Sequence, residues 1–566
     1  MTREAMWQRL GEEDLDVLVI GGGINGAGIA RDAALRGLKV GLVEARDLAY
    51  GTSSRSSKLV HGGLRYLEML EFSLVFEAVS ERRILMDIAP HLVHPLGFLF
   101  PVYRGSRRNL TVIKTGLWLY EGLSLFRSPQ RHRRLRPRDV AEEEPALTTE
   151  GLKGAPLYYD CSTDDARLTL ETALDAALEG ATIATWAKAV SFLKEETTGR
   201  VEGAVVKCGL TGALKEVRAT VVINATGPWT DRVRAMSREP AEPLLRPTKG
   251  IHIVVRREVL PVHNAVVCFH PADDRVLFAI PWGDHTYLGT TDTDYDGDPG
   301  QVYAEAEDVD YLISAANQYF PGHQLQAEDV ICTWAGLRPL IAEGGDASES
   351  QVSREHQIIV SADGLITIAG GKLTTYRKMS AEVMDTAVKL LRLAEKLPKG
   401  LKDAHTDERP LPGAQNWPDE EGDETVVQIL EKRVVELSQG HLDEDDATYL
   451  VYTYGVRATE IAERVAAQPE LGEPIVEGYP ELMVQVDWSV FEELAATVTD
   501  ILVQRTQIYY RAHDQGLAAA EIVADRMAEL LGWDDETRAG HVARYVHDVE
   551  LSREWKKRYD EVTASS

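Results

Sequence analysis

The sequence predicts an α/β chain: a parallel sheet, a second sheet of antiparallel strands, and an all-α C-terminal domain. Three observations predict it. A glycine-rich strand, helix and strand unit fills residues 17–44, alternating apolar runs recur between 246 and 345, and helical periods without strands run from 421 to the end.

In VLVIGGGINGAGIARDAALRGLKVGLVE (17–44), Gly21, Gly23 and Gly26 stand in GxGxxG spacing, and Glu44 follows Gly26 by 18 residues. Val17 to Ile20 supply a buried parallel strand. The glycines let the backbone turn tightly and approach a pyrophosphate, and a helix beginning near Asn25 aims its positive end at that charge. Glu44 ends the second strand, where its carboxylate accepts ribose hydroxyls. The elements occur in the order of a Rossmann-like unit. GLTGAL, IAEGGDA and IAGGKLT lack the strand, spacing and acid of a second fingerprint, so one dinucleotide has to serve the chemistry.

With 566 residues, 44% of them apolar, the chain has room for two or three domains. Cys161, Cys208, Cys268 and Cys332 are far apart and form no CxxC pair, which points away from zinc or a disulfide framework and toward a reducing cytoplasm. The opening MTREAMWQRLGEEDLD carries acids and no apolar core, and no window approaches 18 consecutive apolar residues. The expected location is cytoplasmic, with any membrane contact peripheral, on the inner face. Net charge is −29, and residues 401–566 carry roughly −21 of it. That balance argues against nucleic acid as a partner, because neutralising phosphates needs Lys and Arg.

One stretch runs the other way. Residues 104–138 hold about ten basic side chains around Leu117, Trp118, Tyr120, Leu123, Leu125 and Phe126. A helix lying in a bilayer interface, with its arginines on anionic headgroups, fits this pattern, and so does an ordinary cap helix with solvated ends.

The segment ARDLAYGTSSRSSKLVHGGLRYLE (45–68) resembles the flavin-contacting stretch of FAD-dependent glycerol-3-phosphate dehydrogenases, within the D-amino-acid-oxidase-like flavoproteins. Further matches are NATGPW (224–229), RPTKGIHIVV (246–255), IPWGDHTYLGTTDTDYDGDP (280–299), WAGLRPL (334–340) and IAGGKLTTYRKM (368–379), which together cover most of the first 385 residues. The resemblance implies FAD, held by Gly21, Gly23, Asn25, Gly26 and Glu44, by Thr52, Ser53, Ser57, His61, Gly62 and Gly63, and by Ala225, Gly227, Gly371, Lys372, Leu373 and Thr374. It implies oxidation of glycerol 3-phosphate to dihydroxyacetone phosphate, with a membrane quinone as electron acceptor. A glycerol-3-phosphate oxidase, which passes the electrons to dioxygen, is the alternative.

Oxidising a secondary alcohol at a flavin requires a hydride to leave carbon for N5, a base for the hydroxyl proton, and a grip on the phosphate. By the resemblance, Arg338, Arg354 and Lys372 surround the substrate phosphate or hydroxyl, and Arg65 and Tyr66 lie near the ring. Arginine's fork binds two phosphate oxygens at once, whereas lysine is a point charge that also polarises an alkoxide. His61 and His252 are the histidines inside matched motifs, and an unperturbed pKa of about 6.5 lets either accept a proton. His61 is favoured as the base, with His252 as rival base or substrate hydrogen-bond donor. A helix N-terminus at Leu373–Thr375 is expected to stabilise negative charge on the reduced flavin.

These matches divide the chain into an FAD-binding domain in three parts (14–103, 160–245, 346–395), a cap or membrane-facing segment (104–159), an antiparallel substrate-binding sheet (246–345), a Pro- and Gly-rich linker (396–420) and a helical domain (421–566). The tail leaves a homodimer contact, partner docking and active-site shielding equally open. No metal is expected. Asp292, Asp294, Asp296 and Gly297 imitate a calcium loop but Tyr303 stands where the bidentate glutamate belongs, and the acids at 443–446 fit a helix start.

Overall fold

The structure, a computed structural model, describes residues 1–67, 71–106, 108–124, 128–237, 243–342, 356–420 and 425–563, with the side chains of Arg65, Tyr66 and residues 560–563 outside that set. The strand Leu15–Ile20 pairs in parallel with Val40–Val43 on one side and Leu214–Asn224 on the other. Thr182–Ala184 extends the sheet beyond Val40–Val43, and Ile366–Ala369 extends it beyond Leu214–Asn224. Both faces of these strands are covered, so they are apolar throughout rather than alternating. The helices Ile24–Leu35, Asp165–Leu178 and Tyr376–Leu393 supply much of that cover, through small and branched side chains such as Ala27, Ala30, Leu170, Val383 and Ala387. A hairpin of Ala187–Lys194 and Val201–Cys208 joins along the outer half of Leu214–Asn224.

A second, eleven-stranded sheet centres on Leu245–Arg256, which lies between Cys332–Ile341 and His285–Gly289. It continues through Val276–Trp282 and Ala265–Phe269 to Val93–Leu99, Leu152–Thr163 and Leu59–Val60. The organisation therefore differs from the expected segments. Val93–Leu99 pairs with Ala265–Phe269, and Leu152–Thr163 runs across the break drawn at 159 and 160, so strands on both sides of the cap helix belong to the substrate sheet. The alternating patterns of those strands carried no sign of their distant partners.

Every element from Val426–Leu437 to Glu554–Thr563 is helical among the described residues. Asp443 caps the helix Glu444–Tyr454: its Oδ1 accepts from the Asp446 N–H at 2.9 Å, and Asp446 returns the bond to Asp443. Those acids are a reciprocal cap. The helical domain is joined to the nucleotide domain by buried ion pairs, Asp47 with Arg505 at 2.6 Å and Arg167 with Glu493 at 2.5 Å. All four cysteines are buried free thiols.

Candidate active site

A cavity of about 940 Å³ opens at the carboxyl ends of the parallel strands, bounded by Ile20, Glu44 and Ala225, and its far wall includes Arg338 of the second sheet. Its size falls within the roughly 300–1,000 Å³ of small-molecule sites, and its place is where open α/β sheets bind ligands.

The pyrophosphate end is built from backbone. Gly21 has φ 111°, and a Cβ on Gly26 would collide with the Gly21 carbonyl oxygen, so strand and helix meet closely only with glycine at both positions. The Ile24 N–H donates to Ser53 Oγ at 2.9 Å, while the first turn of Ile24–Leu35 opens on the cavity at Gly23 and Asn25. Thr52 donates to the Leu337 carbonyl at 2.7 Å, tying this loop to the second sheet. Glu44 accepts the N–H groups of Gly22 at 2.6 Å and Arg46 at 2.9 Å. Burial pushes its pKa up, and the N–H groups oppose the shift.

At the other end Gly370, Gly371, Lys372, Leu373 and Thr374 form the wall, and the turn Leu373–Thr375 runs into the helix Tyr376–Leu393. Thr374 staples this turn to His61: its hydroxyl accepts from the His61 N–H at 3.1 Å and donates to the His61 carbonyl at 3.2 Å. The His61 ring lies in the wall, and its Nδ1 accepts from the Gly63 N–H at 3.1 Å. Arg338 reaches the wall from Cys332–Ile341, oriented by Asp292 Oδ1 at 3.1 Å, Thr290 Oγ1 at 3.0 Å and the Thr291 carbonyl at 3.2 Å. Ser57, Gly227 and Ala225 complete this part of the lining. Asp294 pairs with Arg246, so two acids of the calcium-like run are committed to arginines.

Several expected site residues stand elsewhere. His252 is behind the wall, 3% exposed, with its ring stacked 4.6 Å from Trp334 and Nε2 2.9 Å from Ser57 Oγ. Burial, then the charges of Arg338 and Lys58, holds its pKa well below the ordinary value. Gly26 is inside the strand and helix junction. Gly62 and Gly63 also lie outside the lining; the Gly62 N–H donates to Tyr120 Oη at 3.0 Å. Arg65 and Tyr66 belong to the turn Leu64–Leu67, their side chains outside the described set, and Arg354 lies outside the described residues. Sequence reasoning missed Arg46, Trp186, Lys188 and Arg544, which line the cavity near Glu44. Trp186 and Lys188 sat in an unremarkable strand pattern, and Arg544 comes from the tail, where no motif marks it.

A Rossmann-like sheet and a second, mostly antiparallel sheet, whose one parallel pair among the described residues joins Ala265–Phe269 to Val93–Leu99, face one dinucleotide cavity and define a nucleotide-dependent oxidoreductase. Residues 16–377 match the family described as FAD dependent oxidoreductase, and residues 404–538 match the C-terminal domain of alpha-glycerophosphate oxidase. The chain is 39% identical to glycerol-3-phosphate dehydrogenase 2 of Mycobacterium bovis, over 99% of this chain and 92% of that protein. It is 38% identical to the aerobic glycerol-3-phosphate dehydrogenase of Staphylococcus haemolyticus, over 94% of each. The crystal structure of the Bacillus halodurans glycerol-3-phosphate dehydrogenase complexed with FAD superposes with TM-score 0.79 at 33% identity, covering 98% of both chains. The chain belongs to the glycerol-3-phosphate dehydrogenases of the FAD-dependent oxidoreductase family. FAD is its cofactor, and the glycine cradle, the open helix N-terminus and the Glu44 carboxylate fit its pyrophosphate and ribose.

Proposed function

We propose that the protein oxidises sn-glycerol 3-phosphate at C2 to dihydroxyacetone phosphate and passes the electrons to a membrane quinone. The observation that carries this reading is that His61, Lys372 and Arg338 line one cavity, with His61 bonded to the turn Leu373–Thr375 that follows Lys372. FAD, when bound, supplies the hydride acceptor at N5. Arg338 and Lys372 offer positive charge to the phosphate and to the C2 oxygen, with Arg354, Arg65 and Tyr66 joining them by family resemblance. His61 takes the hydroxyl proton. With Nδ1 bonded to Gly63, the neutral ring carries its proton on Nε2; freeing Nε2 costs that bond, a net of about 1 kcal/mol, which biases the tautomers without barring the base role. His252 acts through Ser57, whose hydroxyl it orients.

A peripheral membrane contact supports the quinone. Phe72 and Phe76 on Phe72–Ile88, and Val112, Trp118 and Leu119 on the neighbouring Leu110–Leu123, are large apolar side chains left exposed. Leu117 and Tyr120 of the same stretch turn inward, Tyr120 donating to Asp160 at 2.6 Å, and Leu125 and Phe126 lie outside the described residues. No helix among the described residues is long and apolar enough to cross a membrane.

The test is an anaerobic visible spectrum before and after glycerol 3-phosphate, then a split sample given a quinone analogue or air. Bleaching of the oxidised flavin bands near about 450 nm, fast recovery with quinone and slow recovery in air are expected. Fast recovery in air with peroxide would make the protein an oxidase. No bleaching with FAD bound would refute the substrate.

A further inference from the structure

We infer that the C-terminal helical domain is a working part of the cofactor site, and that Arg544 closes the adenosine end of the FAD cavity through Trp186. Glu44 marks that end, because the acid at the end of the second strand takes the ribose hydroxyls. The Ala187 N–H donates to the Glu44 carbonyl and the Trp186 N–H to the Arg46 carbonyl, each at 2.7 Å, which places this stretch of chain beside the ribose acid. Trp186 and Arg544 both line the cavity.

Two arginines converge on this indole from different domains. The guanidinium carbons of Arg46 and of Arg544, on the helix Asp535–Ser552, are each 5.4 Å from the Trp186 ring. Both are within the roughly 6 Å at which a cation is held by an aromatic face. Arg538, on the same helix, is paired with Glu521 and Asp525, as befits an acidic tail. Arg544 faces the cofactor cavity, with the Asp548 carboxyl near both it and Arg46.

The geometry is held from the tail side. Trp186 Nε1 donates to Asp500 Oδ2 at 3.1 Å, and the same turn, Asp500–Arg505, presents Arg505 to Asp47 in a two-pronged buried pair. Asp47 follows Glu44 by three residues and Trp186 precedes Ala187, whose N–H meets the Glu44 carbonyl, so one short turn of the tail holds both segments that meet at the ribose acid. Trp186 has φ 51°, a left-handed backbone that a bulky side chain rarely adopts and that persists where its surroundings demand it. Arg544 and Arg46 thus set the indole as a wall for the adenine side of the cofactor.

The experiment uses full-length protein stripped of FAD and titrated separately with FAD, ADP and FMN. ADP carries the adenosine half and FMN lacks it. Arg544→Ala is expected to weaken FAD and ADP binding about tenfold, equivalent to ~1.4 kcal/mol, and to leave FMN binding as it was. Arg544→Lys, which keeps a cation over the ring, should fall between. Unchanged FAD and ADP affinities would overturn the inference, as would equal losses for ADP and FMN, which mean general loosening. None of the probes is the alcohol substrate, so failure of the proposed oxidation would leave these readouts intact.

Discussion

The Nε2 atom of His252 lies 2.9 Å from the Ser57 hydroxyl, and it is Ser57, not His252, that faces the cofactor cavity. A histidine kept neutral by burial and by nearby Arg338 and Lys58 adds no ionisation near its ordinary pKa. His61→Gln should slow flavin reduction by about 10²- to 10⁴-fold and remove the acid limb of the kcat/KM profile, whereas His252→Gln should keep that limb. Anaerobic stopped-flow measurement across pH checks both variants. Loss of the limb in the His252 variant alone would exchange their roles.

Arg338 is held by Asp292 and Thr290 in a fixed orientation, which sets where its positive charge stands in the cavity wall. Arg338→Lys should raise KM for glycerol 3-phosphate by about tenfold or more while flavin content stays constant, because lysine offers one point charge in place of the fork. An unchanged KM would remove Arg338 from the phosphate site.

Gly26→Ala drives a methyl group into the Gly21 carbonyl, a backbone atom with nowhere to move. It should yield protein without FAD. Gly116, inside Leu110–Leu123, has open space where its Cβ would go, and alanine there should stabilise by about 0.5–1 kcal/mol. Flavin absorbance and thermal melting of the two variants provide the comparison.

Glu171 is fully buried; burial pushes its pKa up, and the opposing pull of His91 and then Arg167 takes it from 4.5 down to about 2. A carboxylate depressed in the folded state contributes stability that is complete above pH 4.5 and is lost as pH falls toward 2. Glu171→Gln should therefore melt lower at neutral pH and show a shallower decline in that acid window. Parallel melting curves for the two proteins would contradict the assignment.

Trp118 is 54% exposed on a helix whose other aromatic, Tyr120, is buried. Trp118→Glu should reduce sedimentation with anionic vesicles and leave reduction of the flavin by substrate intact. Equal sedimentation of variant and parent would place membrane contact elsewhere.

The nucleotide half was legible because its signals are local: Gly21, Gly23, Gly26 and Glu44 lie within one supersecondary unit, and Lys372 to Thr374 follow a strand and a Gly-Gly turn. His61 and Arg338 became visible through motif resemblance, and the structure brings both to the cavity wall. What stayed hidden depends on long-range pairing. Leu152–Thr163 joins strands on both sides of the cap helix, and Arg544 meets Trp186 across 358 positions of chain. His252 shows a different limit. An alternating strand reveals that a side chain is inward but not whether inward means toward a ligand or toward Trp334.

The pairing of Leu15–Ile20 with Leu214–Asn224, and of Ile223 with Ile366, also sets how much of the chain must be made before the sheet behind the cavity is whole. Domains generally fold as units during synthesis, starting from the N-terminus. Here the glycine loop leaves the ribosome early, yet the strand beside its neighbour, Ile366–Ala369, lies about 340 residues further on. The cavity, whose wall includes Gly370 to Thr374, is therefore complete only late in translation, and chains halted before residue 366 would leave the edge of Leu214–Asn224 that meets Ile366–Ala369 unpaired.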